Sequence, residues 1–167
     1  MTAWVEKTGR VARLAENLFR ASTYDIFGLA PRSPLMVFVE LTRRCNLKCR
    51  HCDIWKTGGG AANLAGQEVP ADRLLEILTG LAAKGLIAVD LFGGEPLLRK
   101  DLPRIIAGCK AAGLHVTVTT NGVLLNRRLS AELVTAGLDQ LLVSIDGPTA
   151  DLHDDIRGVE GSFARAM

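Results

Sequence analysis

Cys45, Cys49 and Cys52 put three thiols within eight residues, in the spacing Cys-x3-Cys-x2-Cys. Thiolates so spaced can fold round one cubane iron–sulfur cluster. Three ligands for four irons leave one iron open, and an open coordination position belongs to a catalytic metal rather than a structural one. A structural zinc is the competing reading, and it wants a fourth ligand. His51 is the local candidate, but it adjoins Cys52 and is poorly placed to share a tetrahedron with it. The remaining thiol, Cys109, lies in a helical pattern beside apolar residues and reads as core.

Three more groups of polar and glycine residues stand out: Gly93-Gly94-Glu95-Pro96, Thr119-Thr120-Asn121-Gly122 and Ser144-Ile145-Asp146-Gly147. Turn chemistry explains part of this, since Asn-Gly favours positive φ and Asp-Gly-Pro is a strong turn signal. Their placement adds more. Apolar runs predict strands over 35–41, 87–92, 114–119 and 140–145, and the cysteines and the three polar groups each follow one of them. Helical patterns over 71–84, 102–112 and 130–136 lie between the strands, with Pro70 suited to a first turn and Asp101 and Ser130 as N-caps. Gly85-Leu86, Gly113-Leu114 and Gly137-Leu138 read as left-handed helix ends leading into strands. Alternation of this kind means an α/β fold with a parallel sheet, its strands buried on both faces. All four strand ends then share one edge, where α/β proteins build their sites.

The 167 residues suffice for one domain with a core, and 48% hydrophobic with 23% charged residues is ordinary for a globular protein. A net charge of +2, with no basic stripe, argues against a nucleic-acid partner. No apolar run approaches the roughly 20 residues of a membrane span. The first twenty residues carry no secretory signal pattern, so a cytoplasmic location with reduced thiols is expected. Walker A, Rossmann, nucleophile-elbow and HExxH patterns are missing from the sequence. A first helix is predicted over 8–21, with Val11, Leu14 and Leu18 as the stripe that packs on the main domain, a membrane-surface helix being the alternative. The stretches 24–34 and 57–69 read as irregular, the second as a mobile loop.

The cysteine motif and the three strand-end groups, in this order, resemble the motifs of the radical S-adenosylmethionine (SAM) superfamily. His153-Asp154-Asp155-Ile156-Arg157-Gly158 and Gly161-Ser162-Phe163 resemble the segment after strand four in its SPASM/twitch branch, which includes peptide-modifying maturases, sulfatase-activating enzymes, and molybdopterin and heme-pathway enzymes. The resemblance covers residues 34–167, with 1–33 as a lead-in. It implies a [4Fe–4S] cluster on Cys45, Cys49 and Cys52, with SAM on the open iron. Reductive cleavage would give a 5′-deoxyadenosyl radical that abstracts hydrogen from a peptide or small-molecule substrate, with the electron supplied by a flavodoxin- or ferredoxin-like donor. By the same resemblance His51 lies near the adenine, and Gly93, Gly94 and Glu95 receive the SAM ammonium. Asn121, Ser144 and Asp146 resemble strand-end positions that contact SAM, and Arg157 an arginine that pairs with its carboxylate. The family's full core is an open TIM-like barrel of six βα units. About four are legible here, so the expectation is a partial barrel, truncated after strand four, that leaves that strand as an edge. A non-catalytic partial domain and a zinc module remain the alternatives.

Overall fold

The computed structural model of the chain describes residues 2–57 and 68–167. Strands β1 (Met36–Thr42), β2 (Ala88–Gly93), β3 (His115–Thr120) and β4 (Gln140–Val143) form one parallel sheet in sequence order. Helices α4 (Ala71–Ala82), α5 (Leu102–Ala111) and α6 (Arg127–Thr135) connect them in turn. The chain begins with α1 (Thr2–Ser22) and α2 (Tyr24–Phe27), carries the short α3 (Ile54–Thr57) after the cysteines, and ends with α7 (Ala150–Arg157) and α8 (Ser162–Ala166). This is a four-strand portion of a TIM-like α/β barrel. No described helix is long and apolar enough to cross a membrane.

The core lies between the sheet and α4–α6. Leu74 and Leu78, Ile105, Ile106 and Cys109, and Leu133 pack against Val89, Leu91, Val116 and Val118. Each such aliphatic side chain contributes about 1.5–3 kcal/mol relative to exposure. Cys109 is fully buried among them, as expected, and burial pushes its thiol up to about 11. The three connecting helices end in the anticipated way. Gly85, Gly113 and Gly137 have positive φ, and the N–H of Leu86, Leu114 and Leu138 reaches back to Leu81, Cys109 and Leu133 carbonyls.

Several expectations need correction. Burial on both faces holds for β2 and β3 but not for β1 and β4, whose second face is open. Phe38 is 68% exposed there, with Phe92 edge-on to its ring. Helix α6 starts three residues before Ser130, because the Asn126 side chain accepts the Leu129 N–H at 3.0 Å and caps it. Asp101 stands at the N-cap of α5 but makes no cap bond, its carboxylate being taken by Arg99. Pro70 occupies the N-cap of α4, one position before its first turn. Of the expected stripe Leu14 is half-buried while Val11 and Leu18 are exposed, and α1 is also attached through Asn17, which donates to Ser33 O at 2.7 Å and accepts from Arg32 N at 2.8 Å. The irregular stretch at 24–34 contains α2, and the loop expected to be mobile falls mostly outside the described residues.

Candidate functional site

At the carboxyl edge of the sheet, the chain after β1 turns through the cysteines beside the turns that follow β2, β3 and β4. Two close approaches set this geometry. A Cβ on Gly93 would lie 2.4 Å from Thr42 O, and one on Gly94 would lie 2.2 Å from Arg44 O, so only glycine lets the β2 turn press against the start of the cysteine loop. The contact is sealed by Gly94 N to Thr42 O at 2.7 Å and Glu95 N to Arg44 O at 2.8 Å. From below, the buried Arg99 donates to Leu41 O at 3.1 Å and pairs with Asp101. Arg44 in turn pairs with Glu68 at 2.7 Å.

A cavity of about 150 Å³ opens at this edge. Cys45, Cys49, Cys52 and His51 line it from the loop, and Gly93 and Gly94 from the β2 turn. Asn121, Ser144 and Arg157 complete the wall from the β3 turn, the β4 end and α7. Nine of the eleven residues singled out from the sequence thus share one cavity. Glu95 and Asp146 stand beside it.

Glu95 is 0% exposed and turned inward. Its carboxylate accepts from Leu97 N at 3.0 Å, Thr120 Oγ1 at 2.7 Å and Asn121 N at 2.9 Å, tying the β2 turn to the β3 turn. Burial raises its pKa, while these three donors and the Arg157 charge pull the other way. Asn121 crosses to the cysteine loop, donating from Nδ2 to Asn46 Oδ1 at 2.8 Å. Asp146 Oδ2 lies 2.7 Å from Arg157 Nε, an ion pair whose N–H is not aligned as a hydrogen bond. Arg157 also donates to Ser144 O at 3.0 Å and to Cys49 Sγ at 3.8 Å. His51 is exposed, 4.0 Å from Asp146.

All three thiols line the cavity, and a cubane would take each thiolate on a different iron. Cys45 is pushed up by burial first, and further by the nearby Glu95 and the other two cysteines, against a lowering hydrogen bond from Leu47 N. A thiol must lose its proton to bind a metal.

Sequence reasoning missed Asn46, Asp154 and Gly158. Nothing in the local pattern marks Asn46. Asp154 and Gly158 stood inside a recognised segment, but their partners lie elsewhere in the chain and are visible only once it is folded.

The chain matches the family model of the Radical SAM superfamily over residues 39–167. It is 37% identical over 135 residues to the AdoMet-dependent heme synthase of Methanosarcina barkeri, covering 81% of this chain and 38% of that protein. It is 32% identical over 163 residues to the PqqA peptide cyclase of Rhodopseudomonas palustris, covering 98% of this chain and 38% of that protein. Streptococcus suis SuiB, bound to its precursor peptide SuiA, superposes with a TM-score of 0.66 at 21% identity over 88% of this chain and 31% of SuiB, a likeness of fold. The chain therefore spans about 38% of the length of these two curated relatives. Family model, relatives and fold agree: this chain belongs to the radical SAM superfamily, in its SPASM-type branch.

Proposed function

We propose that this chain provides the cluster- and SAM-binding part of an enzyme that cleaves SAM reductively, in peptide modification or cofactor biosynthesis. The observation that carries the reading is the single cavity shared by three cysteines and the turns after β2, β3 and β4. Residues 34–167 act as the catalytic core and 1–33 as its lead-in. When bound, the cluster and SAM would supply the one-electron chemistry that cleaves SAM and removes hydrogen from the substrate.

The chain's own residues bind and orient. Cys45, Cys49 and Cys52 hold the cluster, and the cavity-facing Gly93 and Gly94 offer backbone to the SAM ammonium. Glu95 serves that ammonium from behind, as the group that locks the turn. Arg157 has N–H groups beyond its three contacts for the SAM carboxylate, with Asp146 and Ser144 fixing its fork. His51 and Asn121 border the adenosine side. The exposed Lys48, Arg50 and His51 on the loop suit an acidic electron donor of the flavodoxin or ferredoxin type. The relatives named for peptide cyclisation and heme synthesis support the two substrate classes.

Anaerobically reconstituted protein, given dithionite and SAM, is expected to form 5′-deoxyadenosine, and Cys49→Ala is expected to form none. Uptake of about one zinc per chain with no iron, and no product, would contradict the proposal.

A further inference from the structure

In the cysteine loop Cys52 N donates to Cys49 O at 3.3 Å, Trp55 Nε1 donates to the same carbonyl at 3.0 Å, and Leu47 N points at Cys45 Sγ at 3.5 Å. The loop is also ordered from outside, by four residues at the end of α7.

A helix C-terminus leaves carbonyls without intrahelical donors. Here Ile156 O accepts from Arg50 N at 2.9 Å and Arg157 O accepts from Lys48 N at 3.1 Å. The two donors flank Cys49. Arg157 Nη1 reaches Cys49 Sγ, and Asp155 pairs with Arg50. The fourth residue is Gly158. Its φ is +68°, and a Cβ there would lie 2.4 Å from Lys48 O and 3.1 Å from Lys48 C, so the α7 end touches loop backbone directly.

This turn is held without the loop's help. Asp154 accepts from Gly161 N at 2.6 Å, Ser162 Oγ at 2.7 Å and Phe163 N at 2.8 Å, and Gly158 N donates to Asp154 O at 2.8 Å. The fully buried His153 packs edge-on to Phe163, centroids 5.5 Å apart, and its Nδ1 accepts from Asp146 N at 3.2 Å.

We propose that the C-terminal turn of α7 is a clamp that shapes the cysteine loop for its cluster in advance, with Gly158 as its positioning residue. The proposal rests on the reading that the loop holds a cluster. Preorganisation means that less loop ordering opposes cluster binding, so a loosened clamp shows up as a labile cluster.

Gly161 is the matched control. Its φ of +73° strains an alanine as much as Gly158 would, yet nothing lies within 4 Å of a Cβ there. The experiment reconstitutes wild type, Gly158→Ala and Gly161→Ala anaerobically, then follows cluster bleaching by an iron chelator. Circular dichroism melts of the iron-free proteins report folding. Gly158→Ala is expected to lose its cluster at least about tenfold faster than Gly161→Ala, while Gly161→Ala tracks wild type. Equal rates for the two alanine variants overturn the clamp. A wild type that takes up no cluster overturns the functional reading beneath it, a different failure.

Should Gly158→Ala fail to fold, Arg157→Leu decides. It keeps the backbone carbonyl to Lys48 and removes the donor to Cys49. Without SAM, the midpoint potential of its cluster is expected to move to more negative values, because a cation and a donor at a ligand sulfur favour the reduced form. Arg157→Lys is expected to restore part of the shift. An unchanged potential together with an unchanged bleaching rate overturns the proposal.

Discussion

At the scale of single residues, the site runs on a few buried ionisable groups whose partners decide what they do. Cys45 is raised chiefly by burial, so near neutral pH its thiol is protonated and must lose a proton to take iron. The thiolate fraction grows about tenfold per pH unit below the thiol's pKa. Iron uptake should therefore accelerate between pH 7 and pH 8.5, releasing protons, as stopped-flow absorbance with a pH indicator would read; a pH-independent rate would count against it. Glu95 is the other case. Three internal donors meet its carboxylate, and Glu95→Gln turns an amide N–H₂ toward at least one of them. A loss of about 1–3 kcal/mol in urea unfolding is expected, with a change near zero arguing that the turn is held elsewhere. The cysteines and Gly-Gly-Glu were legible in the sequence because residue type and spacing alone mark them. That Glu95 faces inward was not, because its partners Thr120 and Asn121 lie some 25 residues away and only the fold joins them.

At the scale of elements, period and punctuation located the strands and connecting helices to within a few residues. Each connecting helix ends at a glycine and each strand is a β-branched or apolar run, so local chemistry agrees with the final structure. The misreadings came from long-range competition. Asp101 was drawn from its cap by Arg99, and Asn126 outbid Ser130 by standing where its side chain reaches Leu129 N. Helix α7 escaped notice because it is eight residues long and follows a strong turn signal. Asp154 links this element to α8, and its pKa is lowered first by the Phe163 N–H and then by Ser162. A depressed carboxylate stabilises the fold fully above its unfolded pKa of about 3.9 and loses that effect as pH falls through its folded value. The α7–α8 turn should accordingly weaken below about pH 4. Melts of wild type and Asp154→Asn across pH 3–6 test this. The variant should melt lower near pH 6 and converge on wild type at acid pH, whereas parallel curves would place the acid sensitivity elsewhere.

At the scale of the whole molecule, one layer of helices and one sheet make the core, while the opposite face of β1 and β4 stays open. The sequence could report that the strands are apolar but not which face is covered, since covering depends on what packs there. The closed layer supports the strand ends, the strand ends set the four turns, and the turns surround one cavity with three thiols. The central claim is that this cavity holds a [4Fe–4S] cluster with one iron open to SAM. Electron paramagnetic resonance of the anaerobically reconstituted, dithionite-reduced protein, with and without SAM, tests it most directly. The account predicts a [4Fe–4S]⁺ signal that changes when SAM is added and is lost in Cys49→Ala. A protein that takes up no iron, or a cluster signal indifferent to SAM, would contradict it.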